Sequence, residues 1–155
     1  MLNDKIVNDY QKMINTAVLD QLTYAFYQVS IVDIKRLLHD QGVFCGVSKN
    51  KFLSKLNQQF NSILESNFGV QLSKGIALNG IPGAEVLEFR FLRGLADDEF
   101  YDAAPKSFGS KREKNEIIIR LSVELGGGKI QRIEYPTHFI SGSMLYIPST
   151  FYSIN

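Results

Sequence analysis

The sequence predicts an α+β fold, with three N-terminal helices packed on one face of a C-terminal antiparallel sheet of five or six strands. Three observations carry this expectation. Up to about residue 68 the apolar residues recur at three-to-four spacing, the period of a helix face. From residue 70 the period drops to two, the period of a strand. Between two of the period-two runs lies Gly126-Gly-Gly128, and glycine supplies the positive φ angles that a tight hairpin turn demands. Helices followed by strands, rather than alternating with them, point to α+β. The 155 residues suit one domain large enough for a core, with 1–68 as its helical part and 69–155 as its sheet part.

The first helix is expected from Asn3 or Asp4 as a cap, with Ile6, Tyr10, Met13, Ile14, Ala17 and Val18 on one face, and its pattern runs on to Phe26. Ser30-Ile-Val-Asp33 then resembles a capping box, although such boxes usually end in Glu or Gln. Ile34, Leu37 and Leu38 continue it as a short second helix, with Gly42 suited to the left-handed residue after its end. Ser48 caps the third helix. Phe52, Leu53, Leu56, Phe60, Ile63 and Leu64 form its apolar stripe and Gly69 closes it.

Strands follow. Leu87, Phe89 and Phe91 alternate with Glu88 and Arg90, and Ile117, Ile119, Leu121 and Val123 with Ile118, Arg120, Ser122 and Glu124. After the glycine turn comes a run from Lys129 to Tyr135. Further strands are expected at 70–78, 139–147 and 150–153. The alternation implies one sheet face on the helices and a second, solvated polar face.

Composition narrows the function classes. The chain is 45% hydrophobic and 21% charged, which fits a globular protein. The net charge of +1 gives no global field toward nucleic acid or an anionic membrane. The lone cysteine, Cys45, allows no intrachain disulfide. The start of the chain lacks the basic end and apolar core of a signal peptide, and no apolar run approaches the ~20 residues of a membrane span. These points together predict a cytoplasmic protein with no membrane partner.

No residue stands out as catalytic, and no metal or cofactor is expected. Gly126-Gly-Gly-Lys129 falls short of a phosphate-binding loop, because Ile130 follows the lysine and a strand rather than a helix continues. Cys45 and His39 are near in sequence, but Cys45 sits in an apolar connector typical of a small buried hydrophobe. With His138 they form no zinc spacing. Glu85, Glu88, Arg90, Arg120 and Glu124 read as charges of the solvated sheet face, paired across strands with Arg132 and Glu134.

Two surfaces remain as binding candidates. One is the loop at 93–115, whose acidic half carries Asp97, Asp98 and Glu99 and whose basic half carries Lys106, Lys111 and Arg112, with Phe100, Tyr101 and Phe108 interleaved. Loops this long in compact domains tend to be functional or disordered, and a bipolar one suits a protein partner, including another copy of the chain. The other is the outer face of the third helix, with Lys49, Asn50, Lys51, Lys55 and Gln58 able to meet phosphates and bases. With the helix before it, this element loosely resembles a helix-turn-helix. The expectation is a non-enzymatic binding, adaptor or regulatory domain acting through protein–protein contacts at 93–115. The alternative is a nucleic-acid-binding accessory protein using helix 48–67 and the basic half of the loop.

Overall fold

The computed structural model describes residues 2–65, 67–77, 81, 84–93, 116–136 and 139–146. The elements run α1 (Leu2–Tyr27), α2 (Ile31–Leu37), β1 (Leu38–Phe44), β2 (Val47–Ser48), α3 (Lys49–Leu64), β3 (Phe68–Ala77), β4 (Glu85–Arg93), β5 (Glu116–Gly126), β6 (Lys129–Glu134) and β7 (Phe139–Tyr146). The α+β class is as the sequence predicts, and the glycine turn is the expected one. Gly127 and Gly128 both take positive φ, at 63° and 77°, and close a two-residue turn from Gly126 to Lys129.

Capping works as expected at two helix starts. The Ser30 Oγ accepts from the Asp33 backbone N–H, and the Ser48 Oγ from that of Lys51. The end of α1 is less usual. Ser30 N–H donates to the Ala25 carbonyl and Val29 N–H to that of Phe26, the paired closure that favours glycine at the left-handed position. Here that residue is Val29, with φ 52°. A β-branched residue there costs on the order of 1–2 kcal/mol, and Val29 is buried in the core, which offsets it.

The helical half needs correction. The segment after α2 is a β-hairpin rather than a helix end and a loop. Strand β1 starts directly after α2, pairs with β2 through a turn at Cys45 and Gly46, and runs parallel to β6. Residues 31–64 are therefore not a helix-turn-helix. Gly42 is a strand residue, not a helix terminator. A Cβ there would meet the Phe44 ring at 2.4 Å and the Gln131 carbonyl at 2.6 Å, so glycine lets β1 and β6 approach. Gly69 lies inside β3, and α3 ends at Glu65.

The described strands form one sheet in the order β2-β1-β6-β5-β4-β3-β7, antiparallel except where β1 meets β6. The predicted strand at 150–153 lies outside the described residues. On the helix-facing side, alternation brings Leu87, Phe89 and Phe91 against α1 and α3. Phe26 stacks on Phe89 with ring centroids 4.5 Å apart and meets Phe60 edge-on at 5.5 Å. Such pairs add about 0.5–1.5 kcal/mol each beyond area burial. The Arg93 Nη1 donates to the Ser62 Oγ at 2.8 Å and ties the end of β4 to α3. Among the described residues, no helix is long and apolar enough to cross a membrane.

The opposite sheet face departs from expectation. It is not solvated at β4, where Val86 and Leu92 are fully buried and Glu88 is 3% exposed. Ser73 and Ser122, its neighbours in register, are buried too.

Candidate functional site

Strands β5 and β6 differ in length, and the difference builds a site. The ladder between them begins at Ser122 and Glu134 and runs toward the glycine turn. Residues 116–121 of β5 therefore have β4 on one side and, among the described residues, no strand on the other. Beside this open edge lies a depression of about 470 Å³ lined by Lys55, Gln59, Ile118, Ile119, Arg120, Tyr135 and Pro136.

Each lining side chain is placed by local rules. Lys55 and Gln59 stand four apart on α3, so they share a face. The opposite stripe, with Phe52, Leu56 and Phe60, is buried in the core. Ile119 points into the core opposite Phe89, while Ile118 and Arg120 project from the other face. Pro136 cannot donate to a ladder, which suits the point where β6 stops. The described lining thus holds two cations, an amide, a phenol and three apolar side chains, and no acid.

Arg120 is fixed from behind. Its Nε donates to the Glu88 Oε2 at 2.5 Å, directly across the ladder. The other Glu88 oxygen accepts from the Arg90 Nε at 2.7 Å, and the Arg90 Nη1 donates to the Glu116 Oε1 at 2.9 Å. Two carboxylates and two guanidiniums thus form one chain. Desolvation would lower the Arg90 pKa, but hydrogen bonds and charge from Glu88 and then Glu116 outweigh it and raise it. The network gathers Glu88, Arg90 and Arg120 together with Glu116. Glu85 and Glu124 are not part of it. Arg120 pairs with Glu88 rather than with Glu134, which accepts from Arg132 at 3.2 Å.

Cys45 stands beside the depression, against Tyr135. Burial pushes its thiol up to about 11, and the charge of Glu134 adds to this against the hydrogen bond with Tyr135. Burial, then Cys45, raises the Tyr135 phenol as well. Both groups are neutral near pH 7, whereas a nucleophilic cysteine needs a thiolate. His39 is no partner for it. The two lie six residues apart along β1 and its turn, roughly 20 Å at ~3.3 Å per residue, and the His39 Nδ1 accepts from the Gln41 backbone N–H. Among the described residues, no group of three or more His, Cys, Asp or Glu side chains could hold a metal ion.

The expected binding residues fare unevenly. The Nζ of Lys49 donates to the Leu38 carbonyl at 2.9 Å and to the Asp40 carboxylate at 2.8 Å, and only 11% of its side chain is exposed. It ties α3 to β1. Asn50, Lys51, Lys55 and Gln58 are exposed, and of these Lys55 alone lines the depression. Asp97, Asp98, Glu99, Phe100, Tyr101, Lys106, Phe108, Lys111 and Arg112 lie outside the described residues. Sequence reasoning missed Gln59, Tyr135 and Pro136 as neighbours of Arg120. The one available signal was Pro136 as a strand end.

No family model matches the chain, and no curated protein matches it. Among solved structures it is similar to an uncharacterized cystatin fold protein from Novosphingobium aromaticivorans, with a TM-score of 0.47, 14% identity, and 81% of this chain and 97% of that chain covered. It is also similar to a putative polyketide cyclase from Xanthomonas campestris pv. campestris, with a TM-score of 0.46, 12% identity, and 79% and 88% covered. Likenesses this low assign no chemistry to the chain. The expectation of a non-enzymatic adaptor, with nucleic-acid binding as its alternative, is corrected: neither similar structure is described as an adaptor or a nucleic-acid-binding protein. Within the chain itself, Lys49 is engaged by β1, and the loop expected to hold a partner contributes nothing to the described site.

Proposed function

We propose that the chain binds a small organic molecule in the depression between α3 and the open edge of β5. One observation carries this: a concavity of about 470 Å³ in which Lys55, Gln59, Arg120 and Tyr135 converge over an apolar floor of Ile118, Ile119 and Pro136. Ligand sites are typically concave, roughly 300–1,000 Å³, largely apolar and marked by a few placed polar groups. Buried charge close behind the site supports the reading. The Glu88 network costs desolvation that an apolar face would not, and such groups concentrate at functional positions.

A ligand that binds the folded chain raises its melting temperature, by about 2.7 kcal/mol of stability at a hundred times the Kd. A panel of small carboxylates, amides and amines should include compounds that stabilise the wild type. Gln59→Trp, an exposed helix position where a bulky ring fills the depression, should abolish that stabilisation. A panel that shifts wild type and Gln59→Trp equally would refute the site.

A further inference from the structure

We infer that the molecule taken by this depression carries a carboxylate on a compact apolar body, received by Arg120, with Glu88 as the residue that positions it. This rests on the depression being a binding site. The described lining holds two cations and no acid, so an anionic group is the complement it lacks. A guanidinium is planar and meets a carboxylate in a fixed geometry, with charge-assisted hydrogen bonds roughly twice as strong as neutral ones.

The orientation of Arg120 is determined by what lies behind it. Glu88 takes its Nε, is itself held by Arg90, and Arg90 is held in turn by Glu116. The side chains of Glu88 and Glu116 are 4% and 5% exposed, so neither carboxylate can swing away to release its arginine. Arg120, at 35%, is the member of the chain that reaches solvent, and it does so beside Lys55 and Gln59. Ile118, Ile119 and Pro136 supply contact for an apolar body. A phosphate dianion fits less well. Phosphate sites use helix N-termini or clustered backbone N–H groups, and Lys55 and Gln59 stand in the interior of α3.

The experiment is calorimetric titration with benzoate, benzamide, butyrate, butyramide and inorganic phosphate. Wild type should prefer each carboxylate over its amide by at least about tenfold, since the difference isolates the charge-assisted contact. Arg120→Lys keeps the charge but loses the planar fork, and the preference should fall to less than about threefold. Glu88→Gln makes the sign informative. Removing a negative charge near the ligand would by itself strengthen anion binding, so weaker carboxylate binding with unchanged amide binding marks a positioning role. Stronger binding would overturn it. If Glu88→Gln does not fold, Arg120→Lys still decides the ligand class. Equal affinity for acid and amide, both blocked by Gln59→Trp, would overturn the carboxylate class and leave the binding site standing. Phosphate bound more tightly than either carboxylate would overturn the class as well. No probe bound by the wild type would remove the site and the inference together.

Discussion

The two faces of β4 are both buried, but they are held by different physics. On the helix side, Phe89 and Phe91 sit among Phe26, Phe60 and Phe68. This cluster is non-directional, and each ring can be partly compensated by its neighbours. On the other side, Glu88 is buried with Arg90 and Arg120, where every member depends on a specific partner. The comparison teaches that alternation along a strand sorts side chains by chemistry, not by exposure. A polar face can be as dry as an apolar one when its charges close on one another.

Three outcomes bear on this contrast. The largest effect should come from Phe89→Ala, which opens a cavity at the centre of the ring cluster. Loss of a buried phenylalanine costs about 3–5 kcal/mol, and a chain of this size should melt on the order of 10 °C lower. A drop of only a few degrees would show that the cluster collapses around the gap.

Glu88→Ala should come next, at about 1–3 kcal/mol. Breaking a fully buried ion pair costs about 3–5 kcal/mol, but Arg120 keeps 35% of its side chain in water and can be partly rehydrated. Denaturant unfolding measures the difference. A loss matching that of Phe89→Ala would mean the polar face is as decisive as the apolar core.

The smallest effect is alkaline. The Cys45 thiol lies at about 11 in the fold against an ordinary 9.0. The folded chain therefore holds this proton more tightly than the unfolded chain does. Its contribution is complete below pH 9 and is lost as pH rises toward 11. Wild type should lose stability across that window, with Tyr135 shifting in the same direction. Cys45→Ala should lose less, and equal slopes for the two would exclude the thiol as a source. Reaction with iodoacetamide near pH 7 should be slow for the same reason.

Much of the molecule was legible because its signals are local. Ser30 and Ser48 cap where expected, the stripe of α3 buries Phe52, Leu56 and Phe60, and Gly127 and Gly128 turn the chain. The β1–β2 hairpin was not legible. Its turn uses Cys45, a residue that seldom adopts the positive φ of 54° it takes here. Gly42 resembled a helix terminator because nothing nearby in sequence reveals that Phe44 and Gln131 crowd it. The alternation around Glu88 was read correctly, but its exposure was not, since exposure depends on what covers a face.

The sequence by itself determined the class, the helix starts, the hairpin turn and which residues share a face. These follow from backbone sterics, capping chemistry and side-chain period, all acting within a few residues. Tertiary structure alone decided that β1 would run parallel to β6, that Glu88 would lie between two arginines, and that Lys55 and Gln59 would meet Arg120 and Tyr135. Those neighbours are more than fifty residues apart in the chain. Their meeting depends on how long β6 runs beside β5, and pairing length is fixed only when the whole sheet closes on its helices.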